Sequence, residues 1–316
     1  MATKAYNPSP MNPISHLVML TGLAGLISST TSQQLLSVEE LHSNGKINAT
    51  MSTQPWNDFD QLLMAVEKND SNAKWYDLKD QGLPLEGKDV QNLGIGLSYA
   101  DHAKEVRTDD TVFFEKKAKA SRLQDPIPYR PYLDYELEIA LLLNRHDSRT
   151  FGYMLHNDLT DRKIQSLNYD KSDPGPGFSK SKSFKGANPV STVIAIGDSR
   201  LWNEIEIELY RNGKKVQDLA TRNNVLTPEE IHAKVFSDPD LHKGRDWVVI
   251  GTGTTAGTIF RAPSTWQKIK LYIAAGFSKE KATMLWLKRF DFLNKGDTLE
   301  IRSSLFGNVK TQVSKE

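Results

Sequence analysis

The sequence predicts a mostly β, α+β protein whose core is built from antiparallel or mixed sheets. From Asn92 onward, short apolar runs are separated by Gly, Asn, Asp and Pro, which is typical of strands joined by turns. In two of these runs, YELEIALLL and EIEIELY, polar and apolar residues alternate, which predicts one buried and one wet face. Helical periodicity is confined to segments between the runs.

The composition excludes several classes of function. The 316 residues include no cysteine, so a thiol nucleophile, a cysteine-ligated zinc site and a disulfide scaffold are excluded. The 40 basic and 39 acidic side chains nearly balance, and the protein therefore has no overall field that would attract nucleic acid or an anionic membrane. We expect neither as a partner, although local basic loops remain an alternative. With 38% hydrophobic residues the chain can form a sizeable core.

Residues 1–85 are interpreted as an N-terminal accessory region. They are polar and loosely patterned, apart from an amphipathic helix predicted at residues 58–67. The apolar run at residues 14–29 is shorter than the roughly 20 residues that a membrane-spanning helix needs. Only Lys4 precedes this run and no clear cleavage site follows it, so we predict a cytoplasmic protein. Export, with residues 1–30 as a signal or flexible segment, is the alternative.

Residues 86–316 are interpreted as the main, catalytic domain. The predicted strands are, in order, NLGIGL, TVFFE, YELEIALLL, STVIAIG, EIEIELY, WVVIGTG and LEIRSS. Helices are predicted between them at residues 99–106, 160–167 and 228–236, the last with Thr227 as its N-cap before a proline. A helical pair that breaks at Gly276 is interpreted as an insertion at residues 262–289. The Pro/Gly/Ser-rich residues 171–185 are predicted to be a loop.

Three carboxylates are candidate metal ligands. Glu136 and Glu138 alternate on one predicted strand, so their side chains face the same side. On a solvated sheet face such a pair costs little, and that is the alternative to a site. Asp158 follows the next apolar segment and lies beside the pair if the two segments form a hairpin. Three such oxygen ligands would hold Mg²⁺ and leave positions open for water or substrate.

A histidine–glutamate pair and a group of lysines are further candidates. His102 and Glu105 lie three residues apart on a predicted helix, where they could activate water near neutral pH; surface decoration is the alternative. Lys180, Lys182 and Lys185 are most simply a solvated basic loop, but one lysine could stabilise a developing enolate. The run GTGTTAG matches neither a Walker loop nor the dinucleotide fingerprint, so nucleotide binding is not supported.

The order of these blocks resembles the fumarylacetoacetate hydrolase family over about residues 92–313. The matching text is GLSYADHAKEV, VFFEK, LDYELEIALLL, GYMLHNDLTDRKIQ, KSF, VVIGTGTTAG and FLNKGDTLEIRSSLFGNVKT. The resemblance implies a mixed β-sandwich roll, a bound Mg²⁺ or Mn²⁺, and a homodimer. The metal ligands that it implies are Glu136, Glu138 and Asp158. The catalytic groups that it implies are His102, Glu105 and Lys182, and the substrate-binding residues are Lys116, Arg162, Gln165 and Thr254.

Several positions depart from the family pattern. Lys185 stands where the family usually has Asp, and Lys117 and Thr255 stand where it has Pro. The 20-residue step from Glu138 to Asp158 is short beside many hydrolases and similar to relatives that dehydrate 2-keto-3-deoxy sugar acids. The insertion at residues 262–289 has no counterpart in the family. These departures bear most on the identity of the substrate.

The resemblance implies a metal-dependent enzyme that acts on a 2-oxo acid. Hydrolysis of a C–C bond in an acylpyruvate-type substrate is the main expectation. Dehydration of 2-keto-3-deoxy sugar acids, decarboxylation of oxaloacetate and tautomerisation use the same enolate-stabilising site and remain alternatives. A degenerate protein without catalysis is the non-enzyme alternative, although the implied ligands and the histidine–glutamate pair are all present in the sequence.

Overall fold

A computed structural model describes residues 74–77, 90–99 and 111–315. The predicted helix at residues 58–67, the apolar run at 14–29, and His102 and Glu105 lie outside the described residues. Within the described ranges, no helix is both long enough and apolar enough to cross a membrane.

An eight-stranded mixed sheet forms the centre of the fold. Its strands are β1 Lys74–Asp77, β2 Val90–Gly96, β3 Val112–Glu115, β4 Ala120–Arg122, β6 Leu137–Asn144, β7 Asp147–Asn157, β9 Asn188–Gly197 and β12 Trp247–Gly251. The spatial order is β1-β9-β7-β6-β12-β2-β3, and β4 pairs with β9. The β12–β2 and β4–β9 pairs are parallel and the other pairs are antiparallel, so the predicted mixed sheet is confirmed.

A smaller antiparallel sheet packs on the central one. Its strands are β10 Glu206–Arg211, β11 Lys214–Ala220, β13 Thr298–Ser303 and β14 Gly307–Gln312, in the order β11-β10-β13-β14. A short pair, β5 Leu133–Asp134 and β8 Thr160–Asp161, lies outside both sheets. Leu137 of the central sheet and Ile207 and Ile301 of the smaller sheet belong to one buried apolar cluster. The core therefore lies between the two sheets, as in a sandwich.

The prediction that one face of the strand is exposed to solvent is correct for β10 and wrong for β6. Along β10 the side chains alternate between buried and more exposed, as the text EIEIELY predicts. In β6, every residue from Leu137 to Leu143 is buried. Odd-numbered residues such as Ile139 face the main core, while Ala140 and Leu142 belong to a second apolar cluster on the other face. Central strands that are covered on both faces lose the alternation between buried and wet residues.

Four of the seven described α-helices lie where helices are predicted, at residues 160–167, 228–236 and 262–289, and the other three are not predicted. The seven helices are α1 Arg162–Asn168, α2 Gly175–Ser181, α3 Ser199–Trp202, α4 Pro228–Ser237, α5 Pro239–His242, α6 Thr265–Ala274 and α7 Lys279–Leu287. Thr227 caps α4 as predicted, because its hydroxyl accepts from the Glu230 amide in a capping box. Gly276 has a φ of 59° between α6 and α7, which confirms the predicted break in the inserted helical pair.

The prediction of a continuous loop at residues 171–185 is wrong. Residues Gly175–Ser181 form α2, although their Pro/Gly/Ser content favours turns. A proline in the first turn is compatible with a helix, since the first amides of a helix have no partner within it. Gly177 permits close packing on α1, because a Cβ there would lie 2.9 Å from the Asn168 carbonyl oxygen. Tertiary packing therefore outweighs the weak local helix propensity.

Candidate active site

The β6–β7 hairpin brings the three candidate carboxylates together. Leu137 pairs with Asn157 and Glu138 with His156, and the Asp158 amide donates to the Glu136 carbonyl oxygen at 2.8 Å. Asp158 therefore lies beside the two glutamates, as the predicted hairpin requires. All three side chains are buried, so the alternative of a solvated sheet face is wrong.

Glu136 is held by two cations at the end of the hairpin. Its Oε1 accepts from Arg162 Nη2 at 2.7 Å, and its Oε2 accepts from Lys182 Nζ at 2.5 Å. Lys182 is the C-cap residue of α2 and is buried, whereas Lys180 and Lys185 are exposed. The alternative of a solvated basic loop is therefore wrong for Lys182 and correct for its two neighbours.

Asp158 receives two lysines on a single oxygen. Lys182 Nζ lies 2.8 Å and Lys116 Nζ 2.9 Å from Asp158 Oδ2. Burial opposes the charged form of Lys182, but Asp158 and Glu136 outweigh that effect and raise its pKa. This lysine is therefore a permanent cation at neutral pH.

Within the described part of the chain, two buried carboxylate oxygens of this cluster have no hydrogen-bond partner, namely Glu138 Oε2 and Asp158 Oδ1. An unsatisfied buried acceptor of this kind is costly, and a bound cation relieves the cost. Gly251 of β12 leaves the space beside them open, because a Cβ there would lie 2.4 Å from Glu138 Oε2 and 2.9 Å from Lys116 Nζ. These features fit a divalent cation.

His156 is a candidate ligand that the sequence reasoning missed. One ligand atom each from Glu138, His156 and Asp158 lies within 4.8 Å of the other two. His156 Nδ1 lies 2.9 Å from the Pro189 carbonyl oxygen, which can only accept, so Nδ1 carries the proton. In the neutral ring Nε2 keeps its lone pair, and it lies 3.0 Å from Lys116 Nζ. His156 and Asp158 are two residues apart, and their shared strand face is the signal that could have identified the histidine.

Burial and neighbouring charge move the pKa values of this cluster in different directions. Burial raises the pKa of Glu138 well above its ordinary value, and the charge of Asp158 adds to the rise. Burial also acts to raise the pKa of Asp158, but Lys116 and Lys182 outweigh it and hold that pKa below its ordinary value. Burial and then the charge of Lys116 lower the pKa of His156 to about 3, so its ring is neutral at pH 7.

Arg162 links the cluster to the loop that follows β12. Its Nε donates to Asp134 Oδ2 at 2.7 Å and its Nη1 to Gln165 Oε1 at 2.7 Å. Asp134 also accepts from the amides of Ile259 and Phe260. Asp134 was not singled out in the sequence, yet it fixes both the arginine and one wall of the site.

Thr254 lies in the same loop and is also buried. Its hydroxyl donates to the Leu137 carbonyl oxygen at 2.8 Å and accepts from Gln217 Nε2 at 3.0 Å. The Gln217 side chain in turn accepts from the Leu137 amide. Thr254 is thereby tied to the first residue of β6, next to the glutamates.

A cavity of about 500 Å³ opens from this cluster. The predicted residues that line it are Glu136, Glu138, Arg162, Gln165, Lys182 and Thr254. Asp158 does not line the cavity itself, and contacts the lining through Lys182. The cavity is also lined by residues of α6 and α7, the two helices of the predicted insertion. The volume lies in the range of small-molecule binding sites.

Comparison with known proteins identifies the family. Residues 91–314 match the profile described as fumarylacetoacetate (FAA) hydrolase C-terminal. This chain belongs to the fumarylacetoacetate hydrolase family. An uncharacterized protein of Staphylococcus epidermidis is 27% identical over 240 residues, which are 71% of this chain and 68% of that protein.

Solved structures of the family have the same fold. A candidate HpcE protein from Mycobacterium smegmatis matches with a TM-score of 0.55 at 18% identity, over 88% of this chain and 92% of that one. A probable 2-hydroxyhepta-2,4-diene-1,7-dioate isomerase from Mycobacterium abscessus matches with a TM-score of 0.51 at 21% identity. The match covers 74% of this chain and 78% of that one. At these identities the likeness concerns the fold alone.

Proposed function

We propose that this chain is a divalent-metal-dependent enzyme that cleaves a C–C bond of an acylpyruvate-type 2-oxo acid by hydrolysis. The observation that supports this most strongly is a pair of buried carboxylate oxygens, one each from Glu138 and Asp158, that accept no hydrogen bond from the residues that the structure describes, in a cluster that also contains two lysines. Buried oxygens of this kind suit a cation, while the cavity beside them suits a small organic anion.

Glu138 and Asp158 would hold the cation, with Glu136 as the third ligand that the sequence predicts. Oxygen ligands of this kind favour Mg²⁺ or Mn²⁺. When bound, the cation supplies Lewis acidity toward the oxygens of a 2-oxo acid. Metal release would leave Asp158 dependent on Lys116 and Lys182, and Glu136 dependent on Lys182 and Arg162, which contact these two carboxylates in the structure.

The basic residues of the cavity would bind and orient the substrate. Lys182 is a fixed cation that lines the cavity, so it can donate to an oxygen on which negative charge develops. Arg162 is held by Asp134 and Gln165 in one orientation, and a fixed guanidinium is suited to position a carboxylate. Preorganised donors of this kind stabilise an enolate without rearranging as charge forms.

His102 and Glu105 would activate the water that attacks the second carbonyl group. His102→Ala should lower turnover by roughly 100-fold or more, because a positioned base contributes about that factor, while affinity for Mn²⁺ stays nearly intact. Steady-state kinetics and calorimetry on the same preparation measure the two quantities. Unchanged turnover would show that the pair only decorates the surface. A collapse of activity in Lys182→Ala alone would favour dehydratase or tautomerase chemistry.

The reaction itself is tested by one parallel assay. The metal-reconstituted protein is given acylpyruvates, oxaloacetate and 2-keto-3-deoxy acids, and the products of hydrolysis, decarboxylation and dehydration are measured together. We expect the highest kcat/KM with an acylpyruvate. A higher value with a 2-keto-3-deoxy acid would favour the dehydratase alternative, which the short β6–β7 hairpin keeps open. Absence of metal-dependent turnover with every compound would favour a degenerate, non-catalytic protein.

The smallest active form is proposed to be a homodimer, on the basis of the family resemblance alone. Sedimentation at micromolar concentration should show a species of twice the chain mass of 35.6 kDa. A preparation that is active and contains only the 35.6 kDa species would contradict this prediction.

A further inference from the structure

The cavity changes character along its length. Its inner end is charged, with Glu138, Arg162 and Lys182. Its outer part is walled mainly by apolar and aromatic side chains, of which the most important are Phe114, Phe178, Phe260, Leu271, Tyr272 and Trp286. A short 2-oxo acid such as acetylpyruvate would occupy the inner end and leave the apolar wall against water.

The first aromatic wall belongs to the sheet and α2. The rings of Phe114 and Phe178 lie 5.4 Å apart, and that of Tyr169 lies 6.2 Å from Phe178. Gly96 allows this approach, because a Cβ there would lie 3.0 Å from the Phe178 ring. The wall is therefore packed and already formed without a ligand.

The second aromatic wall belongs to the insertion and the loop before it. Phe260, Phe290 and Trp286 form a chain of ring contacts at 5.7 and 5.6 Å. The Trp286 indole Nε1–H donates to the Arg261 carbonyl oxygen at 2.7 Å, which fixes the orientation of the ring. The chain begins beside the charged end, since the Arg162 guanidinium lies over the Phe260 ring at 5.5 Å from its centroid.

We propose that the insertion makes this enzyme selective for 2-oxo acids that carry an aryl or long alkyl group beyond the reacting carbons. This inference rests on the proposed function. The carboxylate end of the substrate lies among the charged residues, and the apolar group lies between the two aromatic walls, in contact with Leu271, Tyr272 and Trp286. The enzyme prefers such substrates because binding removes both the apolar group and the apolar wall from contact with water.

A second anionic group on the substrate is the competing possibility, because Lys171, Lys268 and Lys279 also line the cavity. Lys279 Nζ already donates to the Leu167 carbonyl oxygen at 3.0 Å and so connects α7 to the end of α1. Lys171 and Lys268 are exposed. The apolar and aromatic lining is more extensive and more firmly fixed than these three lysines, and it therefore favours an apolar group.

The first experiment compares substrates on the full-length, Mn²⁺-loaded protein. We expect kcat/KM for benzoylpyruvate to exceed that for acetylpyruvate by at least about tenfold. Fumarylpyruvate, which ends in a carboxylate, should be the poorer substrate of the two longer compounds. Equal values for benzoylpyruvate and acetylpyruvate, or a preference for fumarylpyruvate, would overturn the inference and leave the proposed function intact.

Matched variants of α6 locate the effect. Tyr272→Ala and Leu271→Ala should bring the ratio of the two kcat/KM values toward one, because both side chains line the cavity. Ile273→Ala is the control, since Ile273 lies on the same helix, is 61% exposed and is outside the cavity lining. The control should keep the parent ratio. A ratio that is unchanged in both cavity variants would contradict the role of the insertion.

Equilibrium binding separates this inference from the proposed function. Phenylpyruvate should bind at least about tenfold more tightly than pyruvate by calorimetry, with the difference reduced in Tyr272→Ala. If no 2-oxo acid is turned over, the proposed function fails, and this affinity ratio alone decides the inference. Equal affinities, or no binding of either compound, would overturn it.

Discussion

Asp158 and Asp297 both lie next to the end of a strand and are both held by basic side chains, but their oxygens are used differently. Asp297 Oδ2 accepts from Arg211 Nε at 3.0 Å and Nη2 at 2.6 Å, and from the Asn294 amide at 2.9 Å. Its Oδ1 accepts from Asn212 Nδ2 at 2.8 Å. Both oxygens are satisfied, and the cluster connects the end of β10 to the loop before β13.

Asp158 has two lysines on Oδ2, and its buried Oδ1 accepts no hydrogen bond from the described residues. The same is true of the buried Oε2 of Glu138. Both clusters contain an ion pair, so an ion pair by itself does not indicate a ligand-binding site. The informative feature is a buried acceptor whose hydrogen-bonding capacity is not used by the fold. A complete cluster stabilises structure, and an incomplete one is suited to a ligand.

The largest expected effect is a loss of metal affinity when Asp158 is replaced, with no such loss when Asp297 is replaced. Asp158→Asn should lower affinity for Mn²⁺ by at least about 100-fold, because the neutral amide is a poor replacement for an anionic ligand. Asp297→Asn is the matched control and should bind Mn²⁺ as the parent does. Calorimetry measures both. Equal affinity in the parent and Asp158→Asn would show that the metal site lies elsewhere.

The second-largest effect should be a loss of folding stability when Asp297 is replaced. Burial acts to raise the pKa of Asp297, but its hydrogen bonds and the charge of Arg211 outweigh it and lower that pKa. At pH 7, Asp297→Asn should reduce the free energy of unfolding by about 1–3 kcal/mol, since Arg211 loses its charged partner. Asp291→Asn is the control: Asp291 also lies near Arg211, but its side chain is 83% exposed, and a change within about 0.5 kcal/mol is expected.

The pH dependence of this effect has a defined sign. A lowered folded-state pKa contributes stability above the ordinary aspartate value of 3.8, and that contribution is lost as the pH falls through the lowered pKa. The difference between the parent and Asp297→Asn should therefore be full near pH 7 and shrink in strong acid. Urea unfolding at several pH values measures it. A difference that does not change with pH would contradict an ionised Asp297.

The smallest effect concerns Glu136, the proposed third metal ligand. Glu136→Ala should lower affinity for Mg²⁺ by about tenfold, as expected for one of three carboxylate ligands. His156→Asn should change it less, because Mg²⁺ prefers oxygen. The reverse order would make the imidazole the third ligand and would predict a shift in preference toward Co²⁺ or Zn²⁺. Glu136 would then be a residue that holds Arg162 and Lys182.

Strands with long apolar runs were predictable from the sequence, whereas an edge strand rich in charged and polar residues was not. WVVIGTG and STVIAIG correspond to β12 and β9, which lie in the central sheet. The text KKVQDLA of β11 carries too many polar residues to stand out. This strand forms because it pairs with β10 through a register that includes Ile207 opposite Leu219. Such pairing is a tertiary effect that a local pattern does not contain.

The candidate site was predictable where its residues repeat with the strand period or occur in a recognisable block. Glu136 and Glu138 satisfy both conditions, and Asp158 follows from the hairpin. His156 is the last residue but one of an apolar strand, and its only sequence signal is weak, namely that it lies two residues before Asp158. Asp134 is important because it accepts from Arg162 and from the amides of the distant residues Ile259 and Phe260, and the sequence alone does not show these contacts.

The charged residues of the site and the residues of the outer wall come from separate parts of the chain. The charged residues of the site come from residues 116–182, whereas much of the outer wall comes from residues 262–289, between β12 and β13. The two stretches meet only in space. Replacement of residues 262–289, by recombination or by design, would therefore change the wall as one unit and leave the codons of the charged residues untouched. In such a family, new substrates can arise without any change to the catalytic residues themselves.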